Sequence, residues 1–489
     1  MEVKYKKHSV FVFLILALAL SISLASCQSA PVLVTESINQ VGPEPIPDEI
    51  LESTAISEVE TVPQADSEQI PDEINECLLC HANKQALMDT ASPVIIVESE
   101  NSGESLGGEV APLESWEKVL VDEAAFLATV HGKIDCQACH QGIQSPDKEI
   151  AHSDLIPYPS DDPETFCGKC HPNLTAAAEN SLHATLDGFW TVLESRGVPE
   201  DHPQAEEMFG DHCASCHASC GDCHVSRPTS VDGGFIDGHV FNAVPSMTDN
   251  CIACHGSRVG NEYLGNHEDL KADTHFRQGQ MTCVDCHTGQ EMHGVTTSCQ
   301  DCHQGPEINE IPPPNHRYDG LQTPSCESCH SKVKAGNDNN LLHEIHPGTM
   351  SCQVCHSVSY SNCDGCHVSL SETTGKPIYE TENSYLTFLI GKNPLQSFAR
   401  PYEYVPVRHV PISSTSFDYY EIGLVSNFSN KETWVYTTPH NIQRNTPQTK
   451  FCANCHGNPD IFLTADKIAP EELEANLHII VDLIPPLPY

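Results

Sequence analysis

The chain is poor in the side chains that usually fill an interior. Aromatic residues make up 6% of its 489 positions, too few to build the core of a protein this long. Basic residues are scarce as well: Lys and Arg number 24 against 68 Asp and Glu, for a formal net charge of −44. That imbalance excludes nucleic acid as a partner, because phosphate binding needs clustered Lys and Arg. It suits a basic partner protein, whose approach would be fast and sensitive to salt. Methionine is rare, with seven residues, whereas Cys, His and Pro are abundant at 25, 28 and 35. Length alone allows two or three ordinary domains, but something other than Phe and Leu must fill them.

The first 27 residues read as an export signal. Lys4, Lys6 and Lys7 form a basic start, Val10 to Leu20 is an unbroken apolar run, and Leu24-Ala25-Ser26-Cys27 follows. An uncleaved membrane anchor is the alternative, since the run is near the lower length limit for a span. The last four residues are similar to the lipobox of bacterial lipoproteins, which makes Cys27 the lipidation site. Several acyl chains on one residue give a stable anchor. The expected location is therefore outside the cytoplasm, lipid-anchored in the cell envelope, at the outer membrane, the cell surface or the periplasmic face. Gln28 after Cys27 favours outer-membrane sorting.

Cys27 is the one cysteine outside a repeated pattern. The other 24 fall into twelve C-x-x-C-H motifs: Cys77/Cys80/His81, Cys136/Cys139/His140, Cys167/Cys170/His171, Cys213/Cys216/His217, Cys220/Cys223/His224, Cys251/Cys254/His255, Cys283/Cys286/His287, Cys299/Cys302/His303, Cys326/Cys329/His330, Cys352/Cys355/His356, Cys363/Cys366/His367 and Cys452/Cys455/His456. This is the attachment signature of c-type haem. Two thiols two residues apart can reach the two vinyl groups on one porphyrin edge, and the adjacent His then meets the iron. Zinc ribbons do not require a His after every Cys pair. Disulfide frameworks vary their spacing, and thioredoxin-like motifs do not recur twelve times in one chain. The pattern predicts twelve haem c groups per chain.

A six-coordinate iron needs a second axial ligand. Seven methionines cannot serve twelve irons, whereas the chain has 28 His. Twelve are proximal and His8 lies in the signal, which leaves 15. Bis-His ligation is therefore predicted throughout. The nominated distal ligands are His131, His152, His183, His212, His239, His275, His293, His316, His343, His346, His409 and His440. They precede motifs at short range or lie in the gaps between them. His202, which precedes Pro203, His267 among acidic residues and His478 in the tail are read as non-ligands.

Residues 28–76 form a Pro/Ser/Glu-rich tether in which Ile-Pro-Asp-Glu-Ile occurs twice. Acidic residues outnumber basic ones 21 to two between Gln28 and Ala125, so this part repels itself and extends. Residues 77–367 form a body carrying the first eleven motifs. Residues 368–489 hold a Tyr-rich insert, the twelfth motif and a tail. In that insert Tyr379, Tyr385, Tyr402, Tyr404, Tyr419, Tyr420 and Tyr436 alternate with β-branched residues, which predicts a small β-rich lobe that either covers the last haem or docks a partner. About 32 residues are available per motif between Cys77 and His456, too few for separate domains, so the groups must share walls. The fold expected is mostly irregular with short helices, one of them near Ala176 to Leu193. Sparse β structure falls in the C-terminal aromatic region, and packed haems form the core.

From Cys77 to His456 the motif run resembles the bacterial multihaem cytochromes c. The resemblance implies a haem chain acting as a wire, conducting electrons across the cell envelope or to extracellular acceptors. Its partners would be other cytochromes or a basic donor. An electron carrier, not an enzyme, is the favoured expectation. Bis-His iron is coordinatively saturated, and all twelve motifs end in His. A multihaem reductase for nitrite, hydroxylamine or a sulfur oxyanion, with one open haem, is the alternative. A subunit of a cytochrome filament is a third possibility.

Overall fold

The computed structural model describes residues 75–92, 112–199, 201–267, 270–294, 324–334, 337–346, 348–360, 362–371, 374–396 and 400–488. They belong to Asp72–Tyr489, one of the two units into which the chain divides. The signal segment, Cys27, the tether up to residue 74, the eighth motif (Cys299, Cys302, His303) and His316 lie outside the described residues.

Helices are short. Among the described residues the longest is Pro203–His212, with ten residues, followed by Asp187–Ser195 with nine. The helix expected near Ala176 to Leu193 is broken into Pro172–Ala178, Leu182–Thr185 and Asp187–Ser195. Two residues break it. The Ser181 side chain accepts from Ala184 N–H and starts a new turn. Leu186 takes a left-handed φ of 55°, which no regular helix continues. None of the described helices is long and apolar enough to cross a membrane.

Capping residues set most motifs at the start of a turn. Asn75 caps the helix Glu76–His81, and Asp135 caps Cys136–His140. Ser219 and Asp222 form a capping box at Cys220–His224, and Thr282 with Asp285 does the same at Cys283. In a helical turn, residues i and i+3 share one face and i+4 lies just above i. Both thiols of a motif thus present to one side, with the imidazole beside them.

Strands occupy the C-terminal half. β1 (Asn362–Leu370) pairs antiparallel with β2 (Pro377–Leu386), setting His367 opposite Glu380 and Val368 opposite Tyr379. A bulge interrupts the register between Asp364 and Cys366, where Gly365 adopts a φ of 72°. The eleventh motif therefore lies in a strand, unlike those that open helical turns. β3 (Leu389–Lys392), β4 (Tyr404–His409) and β5 (Trp434–Tyr436) form a second antiparallel sheet in the order β3-β4-β5.

Side-chain cores concentrate around these strands. Val405, Val407, Trp434, Leu463 and Ile479 pack into one cluster. A second joins Leu193, Val198, Ala205 and Met208 to Val368, Phe417, Val425 and Phe428. Arg196 seals the seam between them: its guanidinium donates to Phe428 O at 3.0 Å and Glu432 O at 2.7 Å and stacks 4.6 Å from the Phe428 ring. The motif-dense N-terminal half has one small cluster, Leu78, Val121 and Phe126.

Candidate metal centres

Nine motif histidines each face one histidine from elsewhere in the chain. The pairs are His81–His152, His171–His131, His140–His239, His255–His183, His224–His293, His330–His275, His287–His440, His356–His343 and His456–His346. Ring centroids lie between 5.9 Å (His140–His239) and 6.5 Å (His287–His440). Interplanar angles run from 12° to 88°, so the constant is the separation and not the stacking. Metal–imidazole bonds are about 2 Å long. Adding about 1.1 Å from each nitrogen to its ring centre, two imidazoles on opposite sides of one metal stand about 6 Å apart.

Hydrogen bonds aim the rings. Nδ1 of His81, His140, His224, His356 and His456 donates to the carbonyls of Val119 (3.1 Å), Ile156 (2.9 Å), Asn242 (2.6 Å), Gln443 (3.1 Å) and Pro486 (2.8 Å). His346 Nδ1 donates to Leu342 O at 3.0 Å. His275, His287 and His343 use Asp273, Glu291 and Asp338 in the same way. A carbonyl can only accept, so the Nδ1 proton is fixed and Nε2 is left with its lone pair. This is the orientation that outer-shell partners impose on metal-bound histidine. Burial, the largest cause, lowers the pKa of His81, His131, His183 and His440, and takes His239 and His255 down to about 4. These rings stay neutral at pH 7, as ligation requires. His239 is held at a φ of 75°, a backbone cost for a residue with a Cβ.

A buried network places His440. Glu262 accepts from Arg408 Nη2 at 3.1 Å, from the Tyr360 hydroxyl and from His440 N–H at 2.5 Å. Asn441 adds bonds to Glu262 O and Lys271 O.

Nine of the twelve nominated distal histidines thus stand opposite a motif histidine. His316 is outside the described residues, and two others go elsewhere. His212 Nε2 lies 2.8 Å from the Tyr420 hydroxyl. His409 sits between Asp364, 3.2 Å from Nδ1, and Glu472, 3.1 Å from Nε2. Burial lowers the His409 pKa, but the two carboxylates outweigh it and raise it to about 9, so the ring is an imidazolium with both nitrogens donating. His202 and His478 lie 3.5 Å from Glu421 and Glu432, and His267 stacks on Tyr360. None of these three faces a motif histidine among the described residues. His367 Nε2 is 3.7 Å from Glu380 rather than opposite a ring.

Thiols of different motifs also meet. Cys167 bonds to Cys220, Cys216 to Cys254, Cys251 to Cys283 and Cys326 to Cys352. Cys77 bonds to Cys136. Neighbouring centres therefore share edges.

Cys80, Cys170 and Cys329 correct the expectation that every motif thiol is enclosed in a shared wall. Cys170 and Cys329 are exposed to solvent, as are Cys286 and Cys452, and Cys80 is only half-buried. Among the described residues none of the three thiols hydrogen-bonds to a cysteine of another motif, unlike the first cysteines Cys77, Cys167 and Cys326 of the same motifs. The cause is the shortness of the elements. Cys329 ends the four-residue helix Cys326–Cys329, and Cys170 closes the turn that follows Pro163–Phe166. Cys80 is the next-to-last residue of Glu76–His81. A helix of one turn has no further turn to cover the residue at its end.

Among the described residues no group of three or more His, Cys, Asp or Glu is placed to hold a metal ion. A tetrahedral zinc site needs four such ligands; an axial pair across a planar macrocycle needs two.

No family model matches the chain, and no solved structure matches it. Among curated proteins it is similar to a probable E3 ubiquitin-protein ligase, ARI12, of Arabidopsis thaliana, with 25% identity over 271 residues. The match covers 50% of this chain, which spans about half (47%) of that protein's length. It contradicts the sequence reading on several points. The similarity found is to a ligase and not to a bacterial multihaem cytochrome, and a ligase is an enzyme, whereas the favoured expectation was an electron carrier that is not one. It also gives no support to twelve haem c groups, with Cys80, Cys170 and Cys329 among their thioether anchors, to cytochromes or a basic donor as partners, or to the reductase alternative. Those readings are not carried forward in that form.

Proposed function

We propose that the paired histidines and the thiols beside them are attachment sites for iron tetrapyrroles, and that packing of these groups supplies the interior that side chains do not. The carrying observation is the nine imidazole pairs at 5.9–6.5 Å, each joining a C-x-x-C-H histidine to a distant one. The cysteines of each motif would hold the group's edge, the motif histidine its near face and the partner histidine its far face. When bound, such a group supplies an iron centre that changes oxidation state without exchanging ligands. The chain's own part is to fix each Nε2 lone pair, keep the rings neutral and keep water from the pair. The N-terminal 27 residues fit export with lipidation at Cys27, and residues 28–76 a tether below the body.

A second reading, an E3 ubiquitin-protein ligase, is favoured by the match to ARI12 over half of the chain. One experiment separates the two: intact mass and metal analysis of the full chain purified from its native host. Covalent mass added at the motif cysteines, with iron, supports the first. A polypeptide of unmodified mass that holds zinc and transfers ubiquitin refutes it and establishes the second.

A further inference from the structure

The fourth motif differs from the nine paired ones. No ring lies against His217 among the described residues, although its motif forms the same kind of turn, Ala214–Cys216 followed by His217. The histidine nearest in sequence, His212, is turned away. Its ring packs 4.6 Å from Tyr379, and its Nε2 lies 2.8 Å from the Tyr420 hydroxyl, which in turn lies 2.8 Å from Asp211 Oδ2. The carboxylate only accepts, so the single phenol proton goes to Asp211. Nε2 must then carry a proton and donate to the phenol oxygen. A protonated Nε2 cannot ligate a metal. Tyr379 also adjoins the thiols of Cys213 and Cys366, so the aromatic lobe closes over this motif in the place where other motifs receive a second imidazole.

We infer that the iron group of the fourth motif has one protein ligand, His217, and an exchangeable sixth position bounded by Tyr379, Tyr420 and His212. The inference rests on the reading above and deepens it: one centre binds a ligand while the paired centres are closed. The surrounding chemistry sets the ligand class. Phenols and an imidazole N–H offer hydrogen bonds, and Asp211 with a chain charge of −44 repels anions. The site takes a small, neutral, hydrogen-bond-accepting ligand of iron.

The test uses the full, natively loaded chain, with carbon monoxide as the probe of the reduced protein and electron paramagnetic resonance of the oxidised protein. One carbon monoxide per chain and one high-spin centre are expected. His212→Ala leaves both unchanged. Tyr420→Phe frees His212 Nε2, which then closes the position and abolishes both signals, and the double variant Tyr420→Phe/His212→Ala restores them. A loaded chain that binds no carbon monoxide and is wholly low-spin overturns this inference but not the proposed function. A second carbon-monoxide site created by His212→Ala also overturns it, by showing that His212 is a ligand. A chain without covalent iron overturns both.

Discussion

The ion pair between Arg408 and Glu262 offers a sharp test of how the structure positions a metal-facing histidine. The two side chains are 3% and 2% exposed and 3.1 Å apart. Glu262 also accepts from the Tyr360 hydroxyl and from His440 N–H. Replacing Arg408 with Met leaves a buried carboxylate with two neutral donors, and breaking a buried pair from one side costs about 3–5 kcal/mol. Arg258 moderates this. Burial first, and Arg408 next, lower its pKa, so it is a buried cation close to the same carboxylate and relieved by the change. The low end, about 3 kcal/mol, is therefore expected. Arg408→Met with Glu262→Gln removes both charges while keeping a carbonyl for His440 N–H. It should recover the loss to within about 1 kcal/mol, the usual worth of one hydrogen bond. Guanidinium unfolding of the full chain at constant m reads both values. The single variant should also loosen His440 opposite His287 and add a high-spin signal. A single variant costing less than about 1 kcal/mol, or a double variant no better than the single, would refute the argument.

Three further outcomes follow from the same geometry. A Cβ on Gly391 would meet Val407 Cγ2 at 2.7 Å and Ile479 Cγ2 at 3.1 Å, so Gly391→Ala should cost about 1–3 kcal/mol by overpacking; an unchanged thermal midpoint would show that β3 and β4 can separate. The His409 pKa of about 9 lies above its ordinary value near 6.5, so its pairing with Asp364 and Glu472 contributes fully below about pH 6.5 and is lost as pH rises through about 9. That amounts to roughly 3 kcal/mol, and His409→Gln should flatten the unfolding free energy between those pH values. His293→Ala removes the ring 6.0 Å from His224 and should open one centre without changing the covalent load at Cys220 and Cys223, read as one added high-spin iron.

How much could be read from the sequence differs between the two halves of each site. A motif turn is local: a cap such as Asp135 or Ser219, two cysteines and a histidine lie within six residues, and the geometry follows from helix periodicity. The partner histidine is not local. His440 comes to His287 from 153 positions away, and His346 to His456 from 110. Counting histidines signals pairing but cannot say which ring meets which. Proximity misleads in one case: His212 abuts Cys213, yet Tyr420, more than 200 residues later, takes its Nε2. His409 goes to carboxylates 45 and 63 positions away, an ion-pair choice that no local pattern displays. Thiol exposure was hidden too. Cys326 and Cys329 share one motif, yet Cys326 meets Cys352 while Cys329 faces solvent, because burial depends on which distant turn packs alongside. The strand under the eleventh motif was equally illegible, because the bulge at Gly365 lets a run that reads as a turn pair with β2 instead.

The spacing of the imidazole pairs also bears on the choice between the two readings of this chain. An imidazole nitrogen held in a protein interior without a partner costs about 1–3 kcal/mol. Packing would normally relieve that cost by a direct N–H···N bond or by turning the ring to water. Here neither happens among the described pairs. Nδ1 is tied to a carbonyl or a carboxylate in nine of these rings, and the two rings then face each other across a gap too wide for a hydrogen bond and too constant for accident. An atom bonded to both nitrogens removes the cost and sets the distance at once. Zinc held by clustered cysteines would gather four donors at one point and would leave the histidine pairs unexplained. The similarity to ARI12 covers half of each chain at 25% identity and does not bear on that spacing. The axial-pair arrangement accounts for it with no further assumption about the fold.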